Sequence, residues 1–228
     1  MDNTLSNQFA AHPLDFYYHA LLLLPVAVAV YRREFLTPVL LGVALYFAQR
    51  FLEESFFLQY ALLRKNNQTL SMGVLLIDIL LLGGTYYLSF ADNRVAKKLT
   101  LLAAGAVFGL CLVNYLLVGS ASISRAGIRL LMVVLALLYF NKILSENRVR
   151  RILWHSMFWV SAGFLFYGTG TFLTNLFYDF LLDPALTTQA TYDFFIDLDQ
   201  LLGILHCVFI AIGLWVSHKD QQNYIQII

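Results

Sequence analysis

The sequence predicts an all-α fold: an integral membrane bundle of seven transmembrane helices, with the N-terminus outside and the C-terminus in the cytoplasm. Three observations carry that expectation. Hydrophobic residues make up 60% of the 228 residues and the mean hydropathy is +0.70, far from the composition of an ordinary soluble domain. The stretch between Arg151 and Asp179 holds no charged residue and is long enough for a tilted span, basic at one end (Arg148, Arg150, Arg151) and acidic at the other (Asp179, Asp183). Lys and Arg mark the cytoplasmic side of a span, so this segment orients all the others.

The first segment runs from about Phe16 to Tyr31, where Arg32 and Arg33 stop it, and Pro25 predicts a kink that neighbouring helices must accommodate. The second follows from about Phe35 to Phe57, and the third from about Leu70 to Phe90, behind a loop with Arg64, Lys65, Asn66 and Asn67. A basic turn from Asp92 to Lys98 leads into the fourth, Leu99 to Val118. The small-residue run Gly119 to Gly127 is expected to form an outer turn before the fifth segment, which ends near Asn141. The sixth follows the loop Lys142 to Arg151, and an acidic loop from Asp179 to Asp193 precedes the seventh, from about Phe194 to Ser217.

Threaded in this way, ten basic residues face the cytoplasm: Arg32, Arg33, Arg94, Lys97, Lys98, Lys142, Arg148, Arg150, Arg151 and Lys219. Five face outward, so the overall charge of +1 conceals an inner balance of +6 and an outer balance of −5. No stripe for nucleic acid follows from this distribution. Residues 1–228 contain no internal repeat, Pro-rich linker or low-complexity tract, and one transmembrane domain is expected over the whole chain. The first fourteen residues lack Lys and Arg, so the charged region of a cleavable signal is missing and the first helix is expected to stay as an anchor.

Polar side chains are costly in hydrocarbon unless they face the bundle interior or a wet cavity, so their depth is the best guide to a site. Asp78, with Ser71, Thr85 and Ser89 on its face of the third segment, lies on the order of 12 Å from the outer end at 1.5 Å per residue. Asp199 lies slightly shallower and His206 near the midplane. In the sixth segment Ser156, Gly163, Tyr167, Gly170, Thr171 and Thr174 share a face that should point inward. Glu53, Glu54, Arg125 and Asp193 read more simply as surface or headgroup residues, with Arg50 and Glu54 paired at i and i+4. The inner half has little comparable beyond His155, so a polar vestibule opening outward over an apolar inner core is expected.

The expected ligand site is therefore lined by Arg50, Asp78, Arg129, Tyr167, Asn175, Asp199 and His206, with Arg50 and Arg129 placed to meet an anionic head group. No catalytic set, metal site or cofactor is expected: His206 is the one deep histidine, HExxH and HxxxH are absent, and Cys111 and Cys207 lie separately in apolar segments.

Seven helices resemble the topology of retinal proteins, but the last segment contains no lysine for a Schiff base. FLEESFF (Phe51–Phe57) resembles the paired-glutamate motif of membrane lycopene cyclases, without the proline that precedes it there. HSMFWVSAGFLFYGTGTF (His155–Phe172) and DQLLGILHCVFIAIGLW (Asp199–Trp215) resemble small seven-helix membrane proteins of Bacteroidota. That resemblance implies a bacterial cytoplasmic membrane protein working beside a sensor kinase. The expected function is a receptor or sensor-accessory protein that binds a small amphiphilic ligand from outside. With only a short tail after Ser217, it would signal through a separate cytoplasmic or membrane partner. The alternatives are a membrane enzyme acting on a lipid or isoprenoid, and a small transporter, which would ordinarily show repeats.

Overall fold

A computed structural model describes residues 13–63, 68–118, 120–146, 151–183 and 185–223. Arg64, Lys65, Asn66, Asn67, Gly119, Arg148 and Arg150, used above to orient and divide the chain, lie outside the described residues. Within them the chain is helical without a strand.

The first pass is broken into α1 (Pro13–Leu21) and α2 (Leu23–Tyr31). Pro25 has no N–H to offer the Leu21 carbonyl and its ring crowds that oxygen, which accounts for the break at Leu22. A short 3-10 turn, Arg33–Phe35, leads to α3 (Pro38–Leu62). Pro38 takes the first helical position, where a missing N–H costs nothing, and the Thr37 hydroxyl accepts from Leu40 N at 3.4 Å. Then come α4 (Gln68–Ser89) and α5 (Arg94–Leu117), the latter capped by Asn93, whose side chain accepts from Val95 N and Ala96 N at 3.1 and 3.0 Å.

From Ala121 onward the small-residue run is helix, not turn. Helix α6 (Ala121–Glu146) already begins at Ala121, so Ser122, Ser124 and Gly127 are helical and buried, and Arg125 and Arg129 stand one turn apart on one helix. Small residues in a helix of this kind permit close packing as readily as they permit turns. Helix α7 (Ser156–Leu176) likewise starts after the arginines, behind a 3-10 turn at Ile152–Trp154. The short α8 (Tyr178–Leu181) follows, then α9 (Gln189–Trp215), which starts five residues before Phe194 because Thr188 caps it, and finally α10 (Ser217–Asp220).

Four passes, Pro13–Tyr31, Arg94–Leu117, Ser122–Ser145 and Gln189–Trp215, are long and apolar enough to cross a membrane. Helices α3, α4 and α7 complete the bundle. Helix α3 carries Gln49, Arg50, Glu53 and Glu54, α4 carries Asp78, and α7 is rich in Gly, Ser and Thr. Around the outside, α5 turns Leu102, Leu116 and Leu117 away from the protein, as a lipid-facing helix would.

The two ends of the bundle differ in charge. At the acidic end, Asp179 joins the start of α6: Ser120 Oγ donates to its carboxylate at 2.6 Å and its N–H donates to Ser122 Oγ at 2.7 Å. At the basic end, Lys142 Nζ donates to the Ser89 carbonyl at 2.6 Å. There the Arg32 guanidinium lies 4.2 Å over the Trp215 ring, and Arg151 at the same distance over Trp154.

Helix α7 packs between α6 and α9 and forms the axis of the fold. Ser156, Gly163, Tyr167, Thr171 and Thr174 are buried on it, while Gly170 sits at an exposed edge. A Cβ at Gly168 would lie 3.0 Å from the Arg129 carbonyl oxygen, so any side chain there would push α6 and α7 apart by a few tenths of an ångström. Below this contact the interior is a layer of rings. Phe164 meets Tyr46 at 5.5 Å and Tyr86 at 6.2 Å between ring centroids, and Tyr86 meets Tyr139 at 6.2 Å. Phe47, Tyr86 and Phe164 are among the largest fully buried side chains.

The basic half is not the plain apolar core expected beneath the vestibule. His155 Nδ1 lies 2.8 Å from Asp220 Oδ1, and its Nε2 lies 2.8 Å from the Tyr139 hydroxyl. The second Asp220 oxygen accepts from Ser156 N at 3.0 Å, so a tail residue caps α7, which has no cap of its own. Asn223 adds two bonds to the Arg151 backbone, at 3.0 and 2.8 Å.

Candidate functional site

Helices α1, α3, α4, α6, α7 and α9, with Tyr178 of α8, enclose a cavity of about 230 Å³ in the acidic half of the bundle. Each helix contributes a face dictated by its spacing. Arg50, Glu53, Glu54 and Phe57 follow the three-and-four rhythm on α3, Ser71, Leu75 and Asp78 do so on α4, and Arg125, Ile128 and Arg129 on α6. Thr174 and Asn175 come from the end of α7, and Ile196, Asp199 and Gln200 from α9.

One wall is built on Arg50. Its guanidinium lies 2.5 Å from Glu53, 3.3 Å from Glu54 and 3.6 Å from Asp78, so three carboxylates share one cation. Glu53 and Asp78 are nearly inaccessible, with side chains 4% and 3% exposed, whereas Glu54, at 27%, reaches the open part of the cavity. The Asp78 Oδ1 atom has no hydrogen-bond partner among the described residues.

The facing wall belongs to α6. Arg129 donates to the Tyr167 hydroxyl at 3.0 Å and its guanidinium carbon lies 4.4 Å over the same ring. Arg125 donates to Ser71 Oγ at 3.4 Å and lies 4.2 Å over the Tyr178 ring. Among the described residues neither arginine has a carboxylate oxygen within 4.0 Å, and the Nε atoms of both are buried without a partner. On α9, Asp199 accepts from Asn175 Nδ2 at 3.4 Å, and the same amide also donates to the Thr171 carbonyl at 2.8 Å.

Six of the seven residues singled out from the sequence, Arg50, Asp78, Arg129, Tyr167, Asn175 and Asp199, lie around this one cavity. His206 does not reach it. Its ring stacks on Tyr167 with centroids 4.8 Å apart and packs against Phe47 and Phe164, which places it beneath the cavity floor in the aromatic layer. Glu53, Glu54 and Arg125, taken from the sequence as surface residues, belong to the lining. The pairing of Arg50 with Glu54 does form, but it points inward, and the i, i+3 spacing of Arg50 and Glu53 was the available signal for a cluster rather than a pair. Tyr18 comes from the first pass, where the sequence held no polar stripe to mark it.

Nothing in the cavity resembles a metal centre, since no group of three His, Cys, Asp or Glu is spaced to hold an ion among the described residues. Cys111 and Cys207 are buried free thiols. Its walls present fixed charges, hydroxyls and four apolar side chains, Phe57, Leu75, Ile128 and Ile196, an arrangement suited to binding. No family model matches the chain, and neither a curated protein nor a solved structure matches it.

Proposed function

We propose that the chain is a seven-pass protein of a bacterial cytoplasmic membrane, with its N-terminus and acidic end outside. In this reading it binds a small amphiphilic ligand in the acidic-half cavity and acts as a receptor or sensor-accessory protein through a separate partner at its basic end. The observation that carries it is a cavity whose buried polar atoms, Asp78 Oδ1, Arg125 Nε, Arg129 Nε and Gln200 Oε1, have no partner among the described residues. Buried groups of this kind are normally satisfied, and a bound solute is one means of satisfying them. The aromatic layer under Tyr167 favours binding over passage, because rings in contact fill the path toward the basic end.

Two measurements test this. The protein extracted from its own membrane in mild detergent should retain a small molecule in native mass spectrometry, and Arg129→Gln should lose it. A protein that is ligand-free under all gentle extraction conditions would speak against the reading. For topology, Leu186→Cys and Arg94→Cys in a background lacking Cys111 and Cys207 should respond oppositely to a membrane-impermeant maleimide on intact cells, Leu186→Cys reacting and Arg94→Cys protected. Both sites are solvent-exposed, so the reverse pattern would overturn the orientation.

A further inference from the structure

The seven charged groups of the cavity, three arginines and four carboxylates, form contact ion pairs on one wall only among the described residues. On the α3–α4 wall Glu53, Glu54 and Asp78 divide a single guanidinium, so that wall has a surplus of negative charge. Asp199, on α9, accepts from the Asn175 amide and has no arginine within 4.0 Å among the described residues. On the α6 wall Arg125 and Arg129 stand one turn apart with aromatic rings and hydroxyls for company and no carboxylate in contact among the described residues. Charges in a poorly hydrated interior interact far more strongly than in water, so two opposite imbalances facing one small space form a complementary pair of half-sites.

We propose that the ligand head group is a zwitterion, an ammonium and an oxyanion a few bonds apart in one molecule; the proposal rests on the binding reading above and specifies its chemistry. The oxyanion, a phosphate or carboxylate, lies between Arg125 and Arg129, where two planar guanidiniums present donors that now lack partners. The ammonium lies among Glu54, Asp78 and Asp199. An anion alone would leave the surplus carboxylates uncompensated, and a cation alone would leave the two arginines so. At roughly 30 Å³ per water-sized group, the space of about 230 Å³ accommodates a head of about eight heavy atoms. Leu75, Ile128, Ile196 and Phe57 receive the adjoining carbon chain.

Two sources supply this chemistry, a free solute and the head group of an aminophospholipid, and the test separates them. The full chain is placed in nanodiscs of phosphatidylglycerol, which has no ammonium, and titrated with phosphoethanolamine, inorganic phosphate and ethanolamine by calorimetry. Phosphoethanolamine should bind at least about tenfold more tightly than either half. Arg125→Gln and Arg129→Gln should reduce it to the level of ethanolamine, and Asp78→Asn to that of phosphate. Glu54→Gln, at the most accessible of the three carboxylates around Arg50, should act in the same direction if Asp78→Asn fails to fold. Adding phosphatidylethanolamine to the nanodiscs should block the titration if the lipid head enters the cavity and leave it unchanged if the site takes free solute; either result fits a zwitterion site. Equal binding of phosphate and phosphoethanolamine, or of ethanolamine and phosphoethanolamine, overturns the proposal. So does the absence of binding by all three when the Ser71→Cys variant reacts with an impermeant thiol reagent; the open cavity would then stand without the zwitterion. A Ser71→Cys variant that is inert in every condition would instead strike the binding reading itself.

Discussion

At the basic end of the bundle, the Asp220 carboxylate uses both oxygens, one facing His155 at 2.8 Å and one accepting from Ser156 N at 3.0 Å; at the acidic end, Asp78 lies 3.6 Å from a guanidinium it shares with two glutamates, and its second oxygen has no partner among the described residues. Both groups sit among helices, yet one belongs to a closed network and the other to a cavity wall. Apart from the hydroxyls of Ser156 and Ser217, the basic-end network is matched donor to acceptor. It behaves as a latch that ties the tail to the start of α7. The acidic end holds comparable chemistry in reserve. Burial of polar groups thus has two uses in one bundle: where partners are complete it fixes the chain, and where they are not it creates affinity for something else.

The largest effect should come from the latch. Asp220→Ala strands His155 Nδ1 and the Ser156 N–H in a buried position, and unfolding in detergent should show a loss of about 3 kcal/mol or more. A loss below about 1 kcal/mol would mean the network is hydrated and not closed.

Gly168→Ala should come next, at about 1 to 3 kcal/mol, because its Cβ would meet the backbone oxygen of Arg129 at 3.0 Å and backbone cannot swing aside as a side chain can. The same variant should weaken retention of the native ligand by displacing Arg129 from Tyr167. Stability loss with ligand retention unchanged would uncouple the α6–α7 contact from the cavity.

The smallest effect on stability should be that of Asp78→Asn, about 1 kcal/mol or less, since Arg50 keeps two carboxylates and the isosteric amide leaves no cavity. Its consequence should be confined to binding. A loss matching that of Asp220→Ala would erase the contrast between the two ends and make the acidic cluster a structural one.

The helical passes and the residues that meet at the cavity were legible because a helix repeats every 3.6 residues and a deep charge stands out against hydrocarbon. Asp78, Asp199 and Tyr167 each announced themselves in this way. What periodicity does not give is the rotation of one helix about its own axis relative to the next. For that reason Glu53 and Arg125 read as surface groups in the sequence yet line the cavity, and His206, though deep, faces rings instead of the cavity. The basic-end latch joins residues 65 positions apart, His155 and Asp220, through a contact that leaves no local spacing to detect. The residues Ala121 to Gly127, expected as a turn, are helical for a different reason. Glycine and serine signal turns in water, but in an apolar helix they signal proximity, and composition alone does not separate the two.

All three tryptophans, Trp154, Trp159 and Trp215, sit in the basic half: Trp154 and Trp215 beneath arginines at the rim, and Trp159 donating to the Leu153 carbonyl at 2.9 Å. Intrinsic emission therefore comes from the end of the molecule remote from the cavity, and no indole is positioned to be quenched by a solute lodged beside Tyr167. A spectral change on loading the cavity would have to be conveyed through Tyr167, His206, Phe164, Tyr86 and Tyr139, whose rings follow one another at 4.8, 4.8, 6.2 and 6.2 Å, making the native protein its own optical gauge of communication between its ends.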